Sequence, residues 1–151
     1  MFGQRQFFQF AVFLALWGFG SAASAFEVEV RDAWVRKNLP GQLSAATFVS
    51  IRVDQSARLL VAQSPVAQSV EFHRIEAVPG GANRLVPVPV VPLREGRNHL
   101  GDRGYLIMLM NLKEGDLKAG QNVPIQLKIQ SEQGEVKTLN TQARVRGLTD
   151  R

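Results

Sequence analysis

From Glu27 to the C-terminus the chain is written in short apolar segments, rich in Val, Ile, Leu and Phe, each closed by Gly, Pro, Asn or Asp. None of them sustains the period of about 3.6 residues that a helix face needs. That pattern restricts the chain to strands and predicts an all-β fold. Strands are expected near Glu27 to Arg36, Ala45 to Val53, Arg58 to Gln63, Val70 to Ala77, Arg84 to Val88, Gly104 to Asn111, Val123 to Gln130 and Glu135 to Val145. Many short strands with frequent reversals point to a sandwich or barrel. The reversals have their own chemistry: Leu39-Pro40-Gly41, Pro79-Gly80-Gly81 and Glu114-Gly115-Asp116 supply fixed or positive φ, and Ser131 to Gly134 reads as a hairpin tip. In VPVPVVPL, Val86 to Leu93, three prolines remove backbone donors, so this stretch is an edge strand or an extended connector.

The N-terminus carries different information. MFGQRQFFQFAVFLALWGFGSAASAF has one early positive charge, Arg5, then an apolar run from Phe7 to Phe19, then small residues. This is the order of a secretory signal peptide, and Ala23-Ser24-Ala25 fits the small-x-small pattern of a cleavage site. Residues 1–25 are expected to be removed, leaving residues 26–151 as one domain. The alternative is an uncleaved anchor, but the apolar run falls short of the ~20 residues that a span requires. No later stretch is apolar enough to cross a membrane, so the expected location is the periplasm with no transmembrane segment in the mature protein.

Export makes the absence of cysteine informative, because it removes disulfides, thiolate ligands and thiol nucleophiles together. The soft and borderline metal donors that remain are the imidazoles of His73 and His99 and the thioethers of Met108 and Met110. Removing Arg5 lowers the formal charge from +5 to about +4. In the linear sequence the basic residues are scattered, as in Arg36-Lys37, Arg144 and Arg146, which argues against nucleic acid and suits a solvated surface able to meet an acidic partner or anionic lipid. There is no Gly-x-Ser-x-Gly elbow, no His-Glu-x-x-His and no phosphate-binding glycine loop, so the chain reads as a binding module and not an enzyme.

The methionines lie in RGYLIMLMNLKEG, residues 103 to 115. On a strand, Leu106, Met108 and Met110 share one face, while Tyr105, Ile107 and Leu109 share the other. Both faces are apolar, so the strand should be buried on both sides, and the residues alone leave the thioethers as core filler or as ligands. In VEFHRIE, Phe72 anchors one face; His73 falls on the other and less buried one with Glu71 and Ile75. It is a hydrogen-bonded strand histidine or a metal ligand whose tautomer Glu71 or Glu76 could fix. His99, in EGRNHLGDRG, reads as an exposed loop residue.

These segments together resemble the periplasmic copper chaperones of the PCu(A)C type. The resemblance rests on DAWVR (32–36), the apolar strand at Ala45 to Val53, LLVAQSPVAQSVEFHRIE (59–76) and GYLIMLMNLKEGDLKAGQNVPIQLKI (104–129), and covers nearly the whole mature chain. It implies a cupredoxin-like Greek-key β-sandwich that carries Cu(I) to the copper centre of a respiratory terminal oxidase, or to another copper carrier, with two histidines and two methionines as ligands. Carried over by position, the first histidine falls on His73 and the last methionine on Met108. The second histidine falls on Leu106, and the first methionine falls within Asn83-Arg84-Leu85, where no soft donor stands. Loss of half the donors should weaken Cu(I) binding, with Arg84 adding repulsion and with His99 or Met110 as possible replacements. Two functions follow: a copper chaperone of reduced affinity, or a family member that has lost copper and acts as a protein-interaction module.

Overall fold

The computed structural model describes residues 25–113, 115 and 117–149. The expected leader, residues 1–25, lies outside the described residues apart from Ala25, and so do Glu114 and Asp116 of one expected turn. Among the described residues every regular element is a strand: β1 Val28–Arg36, β2 Ala45–Val53, β3 Ala57–Gln63, β4 Ala67–Glu76, β5 Arg84–Val88, β6 Val91–Leu93, β7 Gly96–Leu100, β8 Tyr105–Leu112, β9 Asn122–Ser131 and β10 Val136–Arg146. Their lateral order is β5-β4-β8-β2-β1-β10-β9-β3-β6, with β7 beside β2, so non-sequential neighbours join most of the sheet. The sheet closes almost completely around its core. No helix among the described residues is long and apolar enough to cross a membrane.

The eight expected strands are all present, and β2 and β5 have the expected ends. The Pro/Val run forms the two outermost strands of the order: Pro87 lies in β5 and Pro92 in β6, where a missing donor breaks no interior ladder. Two strands went unread. β6 is too short to show an alternation, and β7, GRNHL, is too polar; the stretch expected to be a loop around His99 is therefore a strand paired with β2. Asn98 shapes that turn, accepting from the Arg94 N–H at 3.0 Å and donating to the Arg94 carbonyl at 2.9 Å.

Alternation along the strands divides the side chains into two sets. Ala45, Thr47, Val49, Ile51 and Val53 of β2 point inward, as do Ile107 and Leu109 of β8 and Phe72 of β4, and all are buried. The apolar members of this set form the single core cluster together with Val35, Leu59, Val123, Leu127, Ile129 and Val145. Burying such side chains contributes roughly 1.5–3 kcal/mol each before entropy is charged against it. The other set, Ala46, Phe48 and Ser50 of β2 with Leu106, Met108 and Met110 of β8, lies on the outer face. As expected, β8 is apolar on both sides, but only its inner side belongs to the main core.

Candidate functional site

The strand register sets His73 of β4 between Pro87 of β5 and Leu106 of β8, because each is its direct cross-strand partner. Directly opposed residues share a face at close range. Met108 pairs with Glu71 and is therefore the diagonal neighbour of His73 on that face, within reach of a long side chain. The fold thus brings together the two donors retained from the chaperone pattern.

His73 is only 9% exposed, although its face was expected to be the open one. Pro87 and Leu106 on either side cover it, an effect of lateral neighbours that alternation along a single strand does not register. Its Nε2 lies 3.4 Å from Glu71 Oε2, while its Nδ1 is buried and has no hydrogen-bond partner. A neutral imidazole has one N–H and one lone pair. The carboxylate beside Nε2 favours the hydrogen there, which leaves the lone pair on Nδ1, unused and shielded from water. Glu76, the other acid considered for this task, is engaged elsewhere: Arg84 donates to it at 2.6 Å and Arg74 also bonds it. Those two guanidiniums, Arg84 first, hold the Glu76 carboxyl below the usual carboxylate range. Arg84 therefore spends its charge on Glu76 and does not face the donors as a free cation.

The remaining sequence candidates fall apart in space. Met110 pairs with Ser69, on the Met108 face but two residues further along, about 7 Å at strand rise. His99 pairs with Ser50, whereas Met108 pairs with Ala46, a separation of four residues or about 13 Å along β2. It lines a separate cavity with Arg94, Arg103 and Tyr105. At the position of the missing first methionine, Leu85 faces Ile75 and is exposed. Among the described residues no group of three or more His, Asp or Glu side chains is placed to hold a metal ion.

Residues that the sequence did not single out complete the surroundings. Leu106 and Phe48 are both buried yet stand outside the main core cluster. The β2–β8 register, with Thr47 opposite Ile107, sets Phe48 next to Leu106. Phe48 stacks on Trp34 at 3.9 Å with an interplanar angle of 5°. Gly101, at φ 137°, presses against the same ring: a Cβ there would stand 2.1 Å from Phe48 Cδ1, so only glycine fits. The alternate spacing of Trp34 and Arg36, and of Ala46 and Phe48, was the available signal. It showed shared faces but not which strands would meet.

Solved structures with this architecture include the copper-bound PCuAC domain of PmoF2, 19% identical, covering 80% of this chain and 92% of that one at a TM-score of 0.61. The apo PCuAC domain of PmoF1 is 18% identical, with 80% and 93% covered and a TM-score of 0.59. The Cu(I) form of DR1885 from Deinococcus radiodurans is 31% identical, with 86% and 85% covered and a TM-score of 0.56. No curated protein matches in sequence. A family model described as "Putative lipoprotein LpqE-like" matches residues 28–141, and with the architecture above it shows that the chain belongs to the LpqE-like family and is of PCuAC type.

Proposed function

We propose that this protein is an exported, low-affinity Cu(I) carrier that holds the ion between His73 Nδ1 and Met108, the pair named from the sequence, and passes it to a respiratory oxidase subunit or another copper carrier. The observation that carries the reading is the orphaned Nδ1. A buried nitrogen without a partner costs about 1–3 kcal/mol, and a soft cation beside a thioether would satisfy it. The likeness to copper-bound domains supports the same metal. Because Leu106 and Leu85 offer nothing to Cu(I), the site holds the ion with few donors, and such an ion leaves readily. Weak holding suits a carrier that must give up its cargo. The family description names a lipoprotein, which supports export, and the small-x-small order of Ala23-Ser24-Ala25 supports cleavage after Ala25.

A competitive Cu(I) titration under anaerobic, reducing conditions tests this, with His73→Ala and Met108→Ala beside the parent. One-to-one binding lost in both variants is the expected result. No binding by a folded parent would instead favour the protein-interaction reading, which apolar Leu106 and Leu85 at two expected donor positions support.

A further inference from the structure

The arginines that look scattered in the sequence converge on the outer face of β10, β1, β2 and β7. Parallel pairing of β1 with β10 sets Arg36 beside Arg146 and Trp34 beside Arg144. Antiparallel pairing with β2 sets Arg31 opposite Ser50 and Glu29 opposite Arg52, and β7 sets Arg97 opposite Arg52. Arg97 donates to Ser50 Oγ at 3.1 Å, which confirms that it lies on this face. Against six guanidiniums the strands offer Glu29, already bonded by Arg31, and Asp32 in the β1 bulge, while Glu27, Asp54 and Glu95 line a cavity beside Arg52 and leave Arg36, Arg144 and Arg146 without a carboxylate partner among the described residues. In the middle of the patch Arg36 sits over the Phe48 ring at 5.0 Å, and Arg146 over the Trp34 ring at 4.8 Å.

We infer that this face docks an acidic polypeptide segment, one whose Asp and Glu carboxylates pair with Arg36, Arg146 and Arg144. Five of the six guanidiniums have no acid partner among the described residues, and a planar guanidinium receives a carboxylate through two parallel hydrogen bonds. The rings beneath hold Arg36 and Arg146 in place, so less side-chain entropy is lost when the partner arrives. Nucleic acid fits less well, because Trp34 and Phe48 already stack on each other and each has a guanidinium above it, leaving little open ring surface for a base. A lipid surface also fits less well, since the exposed leucines near these arginines, Leu39 and Leu148, lie beyond the ends of β1 and β10 and not between the guanidiniums. The inference does not depend on copper.

The test measures binding of the metal-free protein to a short Asp/Glu-rich peptide, with the Asn/Gln peptide, a single-stranded DNA oligomer and vesicles containing anionic lipid as parallel probes. The acidic peptide should bind best and weaken as salt rises. Arg36→Gln/Arg146→Gln should lower its affinity about tenfold, whereas Lys113→Gln/Lys128→Gln, equal in charge but placed elsewhere, should not. Arg52→Gln/Arg97→Gln, which disturbs no ring, gives a second reading if the first pair fails to fold. Equal weakening by the arginine and lysine pairs, tighter binding to DNA or vesicles, or no peptide binding at low salt would overturn the inference.

Discussion

One sheet face carries two ends that solve opposite problems. At the β4–β8 end, His73 and Met108 stand beside Leu106, and a ring nitrogen is left without a partner. On the adjoining strands β2 and β1, the Trp34–Phe48 stack is saturated: ring on ring, a guanidinium over each, and a glycine pressed against the Phe48 ring. Nothing is missing there except counter-charge. The contrast separates a site that lacks donors from a surface that lacks only acids, although the same register builds both.

The largest effect should come from breaking the saturated end. Gly101→Ala forces a Cβ into the Phe48 ring at a positive φ, and a loss of about 3 kcal/mol is expected in urea unfolding. The same change should leave Cu(I) affinity per folded molecule within about twofold, since Gly101 touches neither donor; a tenfold loss, 1.4 kcal/mol, would show that the two ends are coupled. Next comes Leu106→His, which places an imidazole opposite His73. Cu(I) affinity should rise by at least about tenfold, and stability should fall by about 1–3 kcal/mol as a polar ring enters an apolar cluster.

Met108→Leu sharpens the comparison further, because it conserves volume and should cost under about 1.5 kcal/mol in stability while removing copper binding. Met110→Leu and His99→Ala should alter neither property by more than about twofold in affinity or a few tenths of a kcal/mol in stability. The smallest effect concerns acid. The Glu76 carboxyl is depressed by Arg84 and Arg74, so its contribution is complete above the ordinary carboxylate pKa and disappears as pH falls through the lower folded-state value. Amide exchange at the paired ends of β4 and β5 should quicken across that acidic window, and Glu76→Gln should flatten the change without altering the β8 end.

How much of this could be read in advance follows from which contacts are local. The alternation in YLIMLMNL assigned Leu106 and Met108 to one face and Ile107 and Leu109 to the other, because side-chain direction on a strand is set within the strand. Glu71 and Glu76 could both be named as acids able to fix the tautomer, since they lie two and three residues from His73, but only the structure sets Glu71 beside Nε2 and ties Glu76 to the arginines. Burial of His73, the distance of His99 and the convergence of the arginines depend on which strands are neighbours, information that no single segment holds. β7 stayed hidden because Arg97, Asn98 and His99 look like loop chemistry until β2 supplies their partners. The prolines of β5 and β6 were legible as edges, because proline excludes an interior position wherever the strand is placed.

The parallel ladder between β1 and β10 has a consequence for how the chain is made. Among the described strands β1 is synthesised first, yet one of its two neighbours, β10, is synthesised last. Until β10 is in place, Trp34, Val35 and Arg36 have an open edge, and a non-local ladder of this kind closes late and at a cost in chain entropy. A chain truncated before Ala143-Arg144-Val145 is therefore expected to leave one side of β1 unpaired, an open edge of the kind that invites aggregation.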